Sequence, residues 1–204
     1  MSIVKLNNRG VKNATAFGSI TGLGSMTFIK KLTASSSSTL SFVDGASSVV
    51  LDNTYKEYLF TFKNIHPSAT SYFQVNFRDG GTDYDATKTS AGFYAQHKED
   101  DSETNFAYAG GVAQSTGIQR LTTGELDSSN ADDNLGGYLH LFNPSSTTFV
   151  KHYLSNINYS NNSPASENSF IGGYCNTTNA IDGVQFSMSS GNIDAGDICL
   201  YGIA

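Results

Sequence analysis

The chain has 204 residues, of which 15% are charged, and a formal net charge of −6. That length carries one sizeable core and is ordinary for a single all-β domain, while the charged fraction lies below the roughly 25% of average soluble domains. Few strong helix formers, no basic stripe and no apolar run near the roughly 18 residues of a membrane span together argue against a helical protein, a nucleic-acid binder and a membrane-spanning helix.

Residues 1–43 contain Lys5, Arg9, Lys12, Lys30 and Lys31 and no Asp or Glu, so the rest of the chain is strongly acidic. Such asymmetry marks an interaction segment at one end. Residues 1–24 sustain neither a strand nor a helix period, and Gly18, Gly22 and Gly24 interrupt them. We expect an extended N-terminal arm over 1–24 and one sandwich domain over 25–204. A purely solvated tail does not need recurrent apolar residues. The partner-binding candidates are therefore Lys5, Arg9 and Lys12 for charge, and Ile3, Val4, Leu6, Val11 and Phe17 for apolar burial. Met1 to Lys5 lacks the apolar core of a secretory signal, so synthesis in a cytoplasm without the usual export is expected.

Strand patterns follow at Met26–Leu32 and Leu40–Phe42. The stretch Tyr55–Arg78 organises the rest. Tyr58, Phe60 and Phe62 alternate, then Phe73, Val75 and Phe77 alternate, and a period of two puts each set on one sheet face. Asn64 to Ser68, with Pro67 inside, reads as the turn of a hairpin joining them. Beyond Arg78, Asp79–Asp85 is a glycine turn with three carboxylates. Lys98–Glu103 and Asp127–Asp133 are further acidic loops, all expected to be solvated because turns favour Asp and no EF-hand spacing is present.

Short strands are expected at Ala91–Ala95 and Asn105–Ala109, and Gly110–Asn134 is the least regular region. Gly137–Phe142 and Thr147–Leu154 read as a second hairpin, Asn158–Asn168 as an Asn/Ser loop, and Phe170–Cys175 as a strand. Val184–Met188 and Ile198–Tyr201 flank a turn at Ser189–Asn192. About ten short strands without helices predict an all-β, antiparallel, jelly-roll-like β-sandwich with an extended N-terminal arm.

Chemistry is sparse. His66, His97, His140 and His152 belong to no catalytic or zinc signature. His140 and His152 lie on strands joined by a tight turn, where two facing imidazoles without a third ligand fall short of a metal site. Cys175 and Cys199 form no Cys-x-x-Cys pair; buried thiols and a cross-strand disulfide both fit them. The acids sit in turns and Trp is absent, which leaves a carbohydrate-active enzyme only as a remote alternative. No enzyme activity, cofactor or metal is expected.

The segments Asn8–Ile20, Thr54–Tyr58 with Asn64–Pro67, Leu139–His152 and Met188–Gly196 together resemble a family of virion structural proteins of tailed bacteriophages, notably marine ones. The resemblance covers nearly the whole chain and rests on strand and turn signatures. It implies a non-enzymatic head decoration, cement or appendage protein, or a small tail-fibre protein, located in the virion after synthesis in the host cytoplasm. Partners would be other capsid or tail proteins and further copies of the chain, trimers being common among such appendages. A tail-fibre role would add a host surface glycan or protein as ligand. Nucleic acid is not an expected partner.

Overall fold

A computed structural model describes residues 26–204. The expected arm, with Ile3, Val4, Lys5, Leu6, Arg9, Val11, Lys12 and Phe17, lies outside the described residues. Within them the chain is all-β, with strands β1 (Met26–Thr33), β2 (Thr39–Val43), β3 (Glu57–Pro67), β4 (Phe73–Arg78), β5 (Lys88–Lys98), β6 (Thr104–Tyr108), β7 (Gln119–Arg120), β8 (Leu135–Phe142), β9 (Lys151–Asn161), β10 (Ala165–Cys175), β11 (Gly183–Met188) and β12 (Ile193–Ile203). They form two antiparallel sheets. One has eight strands in the order β1-β12-β3-β8-β9-β10-β5-β6, the other four in the order β2-β11-β4-β7. The antiparallel sandwich read from the alternation is what the chain forms.

The organising stretch is not a hairpin. β3 pairs with β12 and β8, whereas β4 pairs with β11 and β7 in the other sheet. The two strands face each other across the core, with the rings of Phe62 and Phe73 5.1 Å apart at their centroids. Alternation specifies which side chains point inward, and it is the same for strands side by side and for strands stacked face to face. The expected turn at Asn64–Ser68 is also largely strand. Pro67 pairs with Ile193, and Asn64, at φ 52°, sits in a bulge that shifts the pairing with β8 between Phe62 and Ile65. One extra residue there changes the inward set from Tyr58, Phe60 and Phe62 to Ile65 and Pro67.

Phe186, on β11, joins the layers. Its ring lies 5.4 Å from Phe60 and 5.2 Å from Phe62 of the large sheet, and 5.7 Å from Phe73 of its own. Tyr58, Phe60, Phe62, Phe73, Val75, Phe77, Phe186 and Leu200 are all buried, as the alternation requires.

The second expected hairpin is real: β8 and β9 pair from Leu141–Tyr153 to Leu135–Tyr159, although β9 starts only at Lys151. Asn158–Asn168, read as a loop, is instead the far end of a long β9–β10 hairpin in which Asn161 pairs with Ala165. Its inward positions are polar, which hid the strands. Glu167 is buried and accepts hydrogen bonds from Thr123 Oγ1, from the Tyr159 hydroxyl and from Asn161 Nδ2. Ser169 is buried beside them and its hydroxyl accepts from the Thr123 amide at 3.1 Å. These bonds satisfy the carboxylate and tie the irregular region around Thr123 to the large sheet.

At the other end of β10, Cys175 lies opposite Lys88 on one side and Lys151 on the other, and all three are buried. Lys88 donates to the carbonyl of Ala86 at 3.0 Å, and Lys151 to those of Thr177 at 2.9 Å and Asn179. Burial lowers both lysine pKa values. It pushes the Cys175 thiol up to about 12 and the Tyr58 phenol to about 12.

Two outcomes follow from this interior. Phe186→Ala removes the ring shared by both sheets and should destabilise the domain by about 3–5 kcal/mol, read as a lowered urea midpoint at unchanged m-value. Cys175 and Tyr58 keep protons in the folded state that the unfolded chain releases near pH 9 and 10. Their contribution is full below those values and is lost as pH rises towards about 12. The lysines act oppositely, adding stability as pH rises to their ordinary 10.5. Between pH 9 and 10 the Cys175→Ala variant should therefore lose less stability than the parent. Equal slopes in the two proteins would refute this account of the thiol.

Candidate functional site

The outer face of the eight-stranded sheet is built by the residues that alternate with the core. Because Phe60 and Leu139 point inward, Leu59, Thr61, Tyr138 and His140 must point outward. Among the described residues nine large apolar side chains remain exposed. Ile118 and Phe149 are on loops, and the other seven lie on this one face. Met26 and Phe28 come from β1, Tyr138 from β8 and Leu154 from β9. Phe170 comes from β10, and Phe106 and Tyr108 from β6.

Cross-strand register puts these side chains in adjoining rows. Tyr138 is opposite Asn156, Asn156 opposite Phe170, Phe170 opposite Phe93 and Phe93 opposite Tyr108. The neighbouring row runs from Phe28 through Tyr201, Leu59, His140 and Leu154 to Gly172. Phe93 and Phe170 stack with centroids 4.9 Å apart, and Phe106 leans on Phe93 at 5.4 Å. The result is an apolar stripe running diagonally from β1 to β6.

Between β8 and β6 the stripe deepens into a groove of about 440 Å³ walled by Phe93, Tyr108, Tyr138, Leu154 and Phe170. Gly172 forms its floor. A Cβ there would stand 3.2 Å from Leu154 Cδ2, so any side chain would fill the groove and press on its wall. Asn156 is the outward polar side chain of the lining; Ser155 points inward and donates to the Tyr138 carbonyl at 3.0 Å. Such a lining desolvates an apolar occupant and offers few polar contacts.

The two edges of the sheet differ. β1 carries Lys30 and Lys31 and a bulge between Phe28 and Lys30, the devices that keep an edge from pairing. β6, with the sequence Thr104-Asn105-Phe106-Ala107-Tyr108, has no charge, proline or bulge, and Tyr108 is 90% exposed. Its inner side pairs with β5, and its outer side has no strand partner among the described residues.

The remaining candidates are dispersed. His140 stands opposite Leu154 rather than His152. It stacks on Phe142 at 5.9 Å, with Nδ1 3.8 Å from Glu57, while His152 packs near Tyr174. The β8–β9 register offsets the two imidazoles by two residues, so they do not face each other directly, in keeping with ordinary sheet histidines. Cys175 points into the core from β10 and Cys199 outward from β12; both thiols are free, so neither the disulfide nor a pair of buried thiols describes them fully. Acids in the loops are held by local bonds. Hydrogen bonds from Ser129 keep the Asp127 carboxyl below its ordinary pKa, and Asp101 is 2.9 Å from His97 Nε2. Among the described residues no group of three or more His, Cys, Asp or Glu is placed to hold a metal ion.

Composition hinted at the stripe only weakly, because its residues come from all eight strands of the sheet and join only through register. The outward phase of Phe93, Phe106 and Phe170, each next to inward partners, is the one signal that a sequence reading had available. No family model, curated protein or solved structure matches this chain, so its function has to be argued from this face and these edges.

Proposed function

We propose that the chain is a non-enzymatic structural protein of a bacteriophage virion, in which the sandwich docks a neighbouring subunit along β6 while residues 1–24 serve as an anchor to capsid or tail. The observation that carries this reading is the open, uncharged β6 edge flanked by Phe106 and Tyr108. An extended segment of a partner adds there by backbone hydrogen bonds, and the two aromatic side chains supply apolar contact. A protein that functions alone has reason to blunt such an edge, as this chain does at β1.

The resemblance to virion proteins of tailed phages agrees with this reading. So does the strand order: with β5 and β6 set aside and β8–β10 counted as one unit, β1 to β12 follow the order 1-8-3-6 in one sheet and 2-7-4-5 in the other, which supports a jelly-roll reading. A homo-oligomer fits the same edge: β6 paired with β6 of a second copy gives an isologous dimer, while a trimer requires β6 to meet a different surface of its neighbour.

A tail-fibre module that binds a host glycan is the second reading, favoured by the stacked Phe93 and Phe170 rings beside Tyr108 and Tyr138. Sugars need several convergent polar groups, and the groove supplies Asn156. The assembly reading is therefore the stronger.

The double variant Phe106→Lys/Tyr108→Lys tests it. Both side chains are exposed, so the melting curve should change little, by about 0.5 kcal/mol or less for each substitution. Incorporation into particles carrying the variant gene should be lost. Full occupancy of the variant in purified virions would overturn docking through β6. Retained occupancy combined with lost adsorption to cells would favour the glycan-binding module.

A further inference from the structure

We propose that the neighbour docked along β6 is a second copy of this chain, paired antiparallel, β6 to β6, about a two-fold axis through Phe106. The proposal rests on the assembly reading and names the partner of the same edge.

Hydrogen-bond parity is the first argument. The Ala109 amide donates to the Gly92 carbonyl and the Lys98 amide to the Glu103 carbonyl, both at 3.0 Å, so Ala109 and Glu103 turn their backbone groups towards β5. Along an antiparallel strand every second residue directs its N–H and C=O to the same side. Asn105 and Ala107 therefore also face β5, and the N–H and C=O groups of Thr104, Phe106 and Tyr108 face outward. With Phe106 opposite Phe106 of the second copy, Thr104 falls opposite Tyr108 on either side of the axis. All three pairs are then of the hydrogen-bonded kind, and two bonds in each make six. Centring the axis on any other residue of β6 leaves two such pairs or fewer within the strand.

Charge is the second argument. β6 carries none, so the pairing sets no like charges opposite each other. The turn before it holds Glu99, Asp100, Asp101 and Glu103. Antiparallel pairing puts Ser102 of this turn opposite Gly110 of the second copy, eight residues or about 26 Å from that copy's own Ser102 and well beyond a Debye length of about 8 Å. The two acidic turns thus lie at opposite ends of the joint. The third argument is continuity of the outer face. A two-fold axis normal to the sheet keeps both outer faces on one side, so Phe106 and Tyr108, 67% and 90% exposed, meet Phe106 and Thr104 of the second copy and the two apolar stripes join end to end. Pairing of β6 with β1 would instead give a heterologous contact, and the bulge and lysines of β1 oppose it. Five-residue strands bury much less than the roughly 800 Å² per partner of a standard complex, so the dissociation constant should be micromolar or weaker.

Disulfide trapping of the full chain in a Cys199→Ser background tests the register; Cys175 is buried and stays out of the reaction. The Cα atoms of a hydrogen-bonded pair are about 5.5 Å apart, within the span of a disulfide, so Phe106→Cys should form a covalent dimer under mild oxidation. In Tyr108→Cys the two thiols would be four residues out of register, with Cα atoms about 14 Å apart, and should cross-link at least about tenfold more slowly. Equal rates, or faster trapping at position 108, would overturn the axis at Phe106. Thr104→Pro tests the backbone bonds, since it removes an outward donor and leaves the β5 ladder and both aromatic rings in place. Sedimentation equilibrium of the parent up to roughly 1 mM should show a dimer of 21.8 kDa chains, and Thr104→Pro should raise the dissociation constant at least about tenfold. A parent that stays monomeric or forms a trimer would overturn the proposal, and so would an unchanged constant. The occupancy of Phe106→Lys/Tyr108→Lys in virions reads the assembly role separately. Lost occupancy with a monomeric parent would mean that β6 docks a different protein, which overturns the second copy and leaves docking through β6 standing. A trapped dimer with full occupancy would uphold the pairing and overturn the role of β6 in docking to the virion.

Discussion

The contact on which this structure depends is the ring of Phe186 lying between Phe60 and Phe62 of one sheet and Phe73 of the other. It is a single side chain shared by both layers, and its neighbours are themselves the inward members of alternating strands. Once Tyr58, Phe60 and Phe62 point at it, Leu59 and Thr61 have to point away, and the same parity carries through the ladder to β8, β9, β10, β5 and β6. The outer stripe is thus a consequence of the core. A one-residue slip anywhere in that ladder would exchange the two faces, which explains why the Asn64 bulge is confined to the end of β3, beyond the aromatic set.

Polar interior groups decide how wide the large sheet becomes. Glu167, Tyr159, Asn161, Thr123 and Ser169 make their hydrogen bonds to one another inside the sandwich, so the β9–β10 hairpin continues past the point where its apolar pattern stops. The inner face there is held by directional bonds rather than by burial of apolar area. Without this extension the hairpin would end nearer Ile157 and Ser169. The lysines around Cys175 are a second polar inclusion at the opposite end of β10, and there backbone carbonyls take the place of a counter-ion.

The treatment of edges connects architecture with assembly. Lysines and a bulge protect β1, whereas β6 is left uncharged and flat beside two exposed aromatic rings. Evolution has little reason to keep such an edge open unless something covers it, since unpaired strands template unwanted association. The apolar face and the open edge are two different surfaces of the same sheet.

Much of the fold was legible in the residues themselves: the all-β class, the inward set Tyr58 to Phe77, the second hairpin and the irregular stretch around Gly110–Asn134. Period-two alternation reports which side of a strand is dry, and that is a local property. It carries no information about which strands lie together, so β3 and β4, adjacent in sequence and complementary in pattern, look like partners in the sequence although they face each other from opposite sheets. The β9–β10 strands were missed because their inward residues are polar and become acceptable inside only when Glu167 meets Thr123, Tyr159 and Asn161. The outer stripe and its groove were likewise out of reach, since Met26, Tyr138, Leu154, Phe170 and Tyr108 are brought to one surface by register alone. Local patterning set the composition of each strand; sheet membership, the buried polar cluster and the apolar face were decided by long-range pairing, which no short stretch of chain encodes by itself.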